Sequence, residues 1–127
     1  MLSNIGNSIL FFNLLLSLSI IYFAFQELKR NYNFINKKIY YISLIQSTLI
    51  IICFFTLIAG FLISDFSINA VYQNSHSLKP TFYKISGTWG NHEGSLLLWV
   101  IILTIFSFLF LVTNKNHSKK YRVYTLI

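Results

Sequence analysis

Ser95-Leu-Leu-Leu-Trp-Val-Ile-Ile-Leu-Thr-Ile-Phe-Ser-Phe-Leu-Phe-Leu-Val112 runs without a charged residue and has only three hydroxyls among its side chains. A bilayer core about 30 Å thick is crossed by roughly twenty apolar helical residues, because each unpaired backbone amide left in hydrocarbon is costly. The stretch therefore predicts a membrane span. Two more runs meet the same requirement, from about Ile5 to Phe25 and from about Tyr40 to Ile63, again with no charge. The fold class expected is an all-α integral membrane protein of about three transmembrane helices, forming a single membrane domain over residues 1–127.

Composition supports this class and excludes others. Hydrophobic residues make up 55% of the chain and charged residues 10%, where an ordinary soluble domain has about 25% charged. The net charge of +7 comes from ten basic residues clustered beside the apolar runs, not spread over one solvated face, so a nucleic-acid partner is not expected. The single cysteine, Cys53, lies inside a span. It allows neither an intrachain disulfide nor a cysteine-based zinc site and reads as a small packing residue.

The basic clusters also predict orientation, since short cytoplasmic-side loops retain Lys and Arg. Lys29, Arg30, Lys37 and Lys38 lie between the first two spans against Glu27. Lys115, Lys119, Lys120 and Arg122 fill the 113–127 tail without an acid. In the connection 65–94, Lys79 and Lys84 are balanced by Asp65 and Glu93. The expected order is N-terminus outside, first loop inside, long second loop outside, tail inside. No positive residue precedes the first span and two follow it at once, so it reads as a retained anchor and not a cleaved signal. Apolarity rises again over Tyr121–Ile127, which reads as the start of a further span.

Polar and small residues inside the spans fall in stripes. Gly6, Asn13, Ser17 and Ala24 share one face of the first helix, and Gln46, Cys53 and Gly60, with Ser43 and Thr56 alongside, share one face of the second. Such stripes suit close helix packing; the other reading, a polar path through the membrane, rests chiefly on Asn13 and Gln46.

The unusual chemistry lies in the outer loop. Leu78, Phe82 and Ile85 stand at i, i+4 and i+7, with Pro80 at a plausible first turn and Gly87 as a stop. They predict a short amphipathic helix whose apolar side rests on lipid or a partner while Lys79 and Lys84 reach water. Trp89-Gly90-Asn91-His92-Glu93-Gly94 follows, where the glycines permit a tight path and Asn91 or Ser95 can cap the third span. The free amides of an outward helix N-terminus favour carboxylates or phosphates, and His92 or His76 can bind metal or take up a proton. Familiar motifs fail here: no Lys precedes Ser95 as a phosphate loop needs, and Leu96 stands where a zinc protease has its second His. Asn116-His117-Ser118 matches a glycosylation site but lies in the inside tail.

The run Tyr83-Lys-Ile-Ser-Gly-Thr-Trp-Gly-Asn-His-Glu-Gly-Ser-Leu-Leu-Leu-Trp-Val100 closely resembles the N-terminal hallmark of CcmF, the haem lyase subunit of the cytochrome c maturation system. Gln73-Asn-Ser-His-Ser-Leu-Lys-Pro80 is similar to the same family's outer loop. The resemblance implies the N-terminal portion of a component of a bacterial or mitochondrial inner membrane. Its role would be to assist delivery of haem from a haem chaperone to the Cys-x-x-Cys-His thiols of apocytochrome c, among other maturation subunits. The family's Trp-Trp-Asp segment is not present in this chain, whose two tryptophans, Trp89 and Trp99, are never adjacent. The resemblance accordingly implies a companion CcmF fragment carrying the other spans, with haem lyase activity belonging to the assembly and no catalytic residue assigned here. His76, Trp89, Asn91, His92 and Glu93 are the candidates to face haem or a partner; no metal site is expected. Two alternatives stay open: a structural subunit of a respiratory or transport complex, and an inactive remnant of a truncated gene.

Overall fold

The structure is a computed structural model and describes residues 2–29, 36–113 and 118–126. Arg30 of the first connection and Lys115, Asn116 and His117 of the tail lie outside the described residues. Three long helices dominate: α1 (Leu2–Lys29), α2 (Lys37–Ile63) and α5 (His92–Thr113). Each is long and apolar enough to cross a membrane. Each also begins before the uncharged run that announces it, because the capping and charged residues at its ends continue the helix into the interface. Asn36 caps α2 by accepting a hydrogen bond from the Lys38 amide at 3.1 Å.

Helix α2 is the centre of the bundle, with α1 and α5 packed on it. The small-residue stripes make the first of these contacts. Asn13, 6% exposed, donates through Nδ2 to the Gln46 carbonyl at 3.3 Å, and the Cys53 thiol lies 3.8 Å from the Gly6 carbonyl. The antiparallel register thus sets residue 6 beside 53 and 13 beside 46. Gln46 takes part through its backbone, and Ser17 turns back to the Leu14 carbonyl of its own helix, so the stripe serves packing. The outward faces are apolar, with Phe11, Phe55 and Phe106 each more than 60% exposed. Such a surface is stable in contact with lipid or neighbouring helices.

Two clusters close the ends. Ala24, Ile39, Leu111 and Val123 bury one another where α1 ends, α2 begins and α5 ends. Phe61, Ala70 and Val71 do so at the opposite end. The first connection and the tail therefore share one end of the bundle, and the segment 64–91 occupies the other, the relative arrangement expected from the charges. The tail's described part is α6 (Lys119–Tyr124), a turn and a half of helix docked against α1 and α5. Arg122 holds it there by donating through Nε to the Leu111 carbonyl at 3.1 Å and through Nη2 to the Tyr40 hydroxyl at 2.6 Å, and by a second donation from Nη2 to Leu111. The guanidinium thus occupies the Leu111 carbonyl, one of those that the end of α5 leaves without intrahelical donors.

Candidate functional site

The loop end is built on a left-handed turn. Helix α2 stops where Ser64 takes φ 56° and ψ 49°, while the Ser64 amide bonds Phe61 O and the Asp65 amide bonds Gly60 O at 2.9 Å. This is a Schellman termination with serine where glycine is usual. Asp65 then forms an Asx turn, accepting from the Ser67 amide at 3.1 Å. The Ser67 side chain, and after it that amide, hold its carboxyl below the usual carboxylate range. The chain continues through α3 (Asn69–Asn74), a helix the sequence did not announce, into α4 (Thr81–Gly90).

Helix α4 is the predicted amphipathic helix, but it departs from expectation in two respects. It runs through Gly87 to Gly90, because no glycine here has positive φ and Gly87 continues the helix against the Phe61 ring. Its apolar side faces away from the bundle, as expected, but the buried side takes in Lys84. Lys84 is only 8% exposed and donates through Nζ to the Ser64 hydroxyl at 2.6 Å, so it does not reach water. Thr88 is fully buried beside it. The side turned outward carries Phe82, Tyr83, Ile85 and Trp89, with Leu78 just ahead of the helix. The helix packs on the end of the bundle with small and polar residues and shows its aromatic side to the surroundings.

A single residue, Asn91, joins α4 to α5. Its Nδ2 donates to the Gly87 carbonyl at 2.7 Å and the Thr88 carbonyl at 3.2 Å, while its Oδ1 accepts from the Gly94 amide at 2.7 Å. One buried amide thereby satisfies the carbonyl end of one helix and the amide end of the next. The helices approach so closely that a Cβ on Gly94 would lie 2.8 Å from the Thr88 carbonyl carbon and far inside contact distance of its oxygen. Gly90 has open space at the same position. The expected cap is thus Asn91 and not Ser95, whose hydroxyl turns to the His92 carbonyl. Asn91 also takes the Gly94 amide that an anion was expected to use.

The corner divides the candidate residues. Trp89, 44% exposed, and His92 are displayed on either side of Asn91. Glu93 is exposed as well and borders a cavity between α1 and α5. His76 sits in the α3–α4 connection beside a separate shallow depression lined by Asn74 and Lys79. Among the described residues no group of three His, Cys, Asp or Glu side chains is placed to hold a metal ion. Sequence reasoning missed Ser64, Lys84 and Gly94. The Asn-x-x-Gly spacing was the available signal for Gly94, whereas nothing local marks a lysine whose partner lies twenty residues away.

Together these features define a helical membrane protein with three helices of spanning length and a rigid, aromatic-faced helical corner at one end. Over about half its length the chain is similar to bacterial cytochrome c-type biogenesis proteins. It is 56% identical over 64 residues to ccl1 of Rhodobacter capsulatus, 50% of this chain and 10% of the relative. It is 47% identical over 74 residues to CycK of Rhizobium meliloti, covering 58% and 11%. To CcmF of Haemophilus influenzae it is 40% identical over 65 residues, covering 51% and 10%. The chain therefore spans about a tenth of the length of these curated relatives, and the resemblance to CcmF agrees with them. No family model matches the chain. No solved structure matches it either.

Proposed function

We propose that this chain is the N-terminal membrane segment of a CcmF-type cytochrome c maturation protein, with the α4–α5 corner on the outer face of a bacterial or mitochondrial inner membrane. The observation that carries the reading is its 56% identity over 64 residues to a cytochrome c-type biogenesis protein. The chain works with a companion CcmF segment, the other maturation subunits, the haem chaperone and apocytochrome c. Haem is cargo here. Trp89 offers a flat apolar wall against which a porphyrin can lie, His92 a nitrogen donor three residues on, and His76 a second one earlier in the loop. Asn91 acts through the backbone by fixing the angle at which both are presented. Covalent attachment is assigned to the assembly.

The test is to replace Trp89 and His92 together by alanine in the host assembly and to stain c-type haem. Both side chains are exposed, so accumulation of the chain stays level while haem staining falls about threefold or more, the size of one lost aromatic contact. Undiminished staining would instead favour a purely structural subunit. Orientation is tested separately with a Ser77→Cys variant in intact cells, at an exposed position of the same loop. A membrane-impermeant thiol reagent labels it before lysis if the loop is outside; labelling only after lysis inverts the topology.

A further inference from the structure

The cavity beside Glu93 has a volume of about 530 Å³. It exists because α1 and α5 both pack on α2 and leave a cleft between themselves. Its wall has two chemistries. Leu10, Leu57, Leu97 and Val100 line the deep part, and Asn7, Asn69 and Glu93 lie toward the rim. Leu10 and Val100 are each about eight residues from the start of their helices, so the cleft reaches about 12 Å into the bundle. That is close to the depth of one bilayer leaflet. The apolar side is thus at acyl-chain depth and the amides and carboxylate at headgroup depth. Glu93 is the one carboxylate lining the cleft among the described residues.

We infer that this cleft binds one phospholipid with a primary-amine headgroup. Its acyl chain lies along Leu10, Leu97 and Val100, its ammonium donates to the Glu93 carboxylate, and the Asn7 and Asn69 amides face its phosphate. A cationic headgroup complements the single negative charge at the rim, and a primary ammonium supplies N–H donors that a choline group lacks. An anionic headgroup is repelled by the same carboxylate. The inference stands apart from the haem-handling role, since it uses neither Trp89 nor His92.

The experiment reconstitutes the full chain in nanodiscs of equimolar phosphatidylethanolamine, phosphatidylcholine and phosphatidylglycerol, then measures lipid retained after mild extraction by native mass spectrometry. Phosphatidylethanolamine is expected to be retained about fivefold over each of the others, the scale of a partly exposed ion pair. Glu93→Gln, which keeps the side-chain shape, abolishes the preference while lipid is still retained. Leu97→Trp, which fills the deep part, lowers retention of all three. Equal retention by the parent chain overturns the inference, as does a preference that survives Glu93→Gln. Recovery of a polypeptide crosslinked at position 97 with no lipid retained also overturns it, because the cleft would then belong to a partner helix.

Discussion

Gly90 and Gly94 stand four residues apart in the same motif, yet the corner gives them opposite fates on substitution by alanine. At Gly94 the added methyl would sit 2.8 Å from the Thr88 carbonyl carbon and closer still to its oxygen, where ordinary contact begins near 3.4 Å. The obstacle is backbone, so the ends of α4 and α5 must part. Parting them stretches the three hydrogen bonds of the Asn91 side chain, at 2.7, 3.2 and 2.7 Å. At about 1 kcal/mol net for each bond, their loss costs about 3 kcal/mol. The better helix propensity of alanine offsets about 1 kcal/mol, which leaves Gly94→Ala destabilised by about 2 kcal/mol. Gly90→Ala meets nothing within 4 Å, in a helical backbone without positive φ. It is neutral or more stable by about 0.5 to 1 kcal/mol. Hydrogen exchange across residues 84–95 in detergent, followed by mass spectrometry, reads the difference directly. Faster exchange by about thirtyfold is expected for Gly94→Ala, and none for Gly90→Ala. Equal protection in the two variants would refute the close-approach argument, and loss of protection in Gly90→Ala alone would reverse it.

Two further outcomes follow from contacts at the opposite ends of the bundle. Ser64→Ala keeps the left-handed backbone but strands the buried Lys84 ammonium, lowering stability by about 1.5 to 3 kcal/mol; Ser64→Gly regains about 1 kcal/mol of backbone strain and costs correspondingly less. Thermal unfolding in detergent should rank them parent, Ser64→Gly, Ser64→Ala. Arg122→Leu frees α6 from Leu111 and Tyr40 and exposes the tail to limited proteolysis near Ser118, whereas Tyr40→Phe removes one hydrogen bond, about 1 kcal/mol, and leaves the tail largely protected.

The three spans, their relative ends and the packing stripe of α1 were legible because each depends on a local quantity: apolar length, flanking charge, or the spacing of small residues along one helix. Asn91 was legible for the same reason, since an N-cap is read from a few neighbouring positions. Lys84 was not, because a lysine beside exposed aromatics reads as solvated until Ser64 is brought to its ammonium from twenty residues upstream. That α4 carries this lysine on its bundle side was decided only by the neighbouring helices.

By itself, then, the sequence determined that this chain is helical and suited to a membrane, because uncharged runs of that length leave the backbone no other way to satisfy its hydrogen bonds in hydrocarbon. Tertiary structure alone decided that Trp89 and His92 are displayed while Glu93 borders a cleft, and that Gly94 and not Gly90 meets backbone at close range. Both follow from the angle at which Asn91 locks two helix ends together, a geometry set by contacts among α2, α4 and α5.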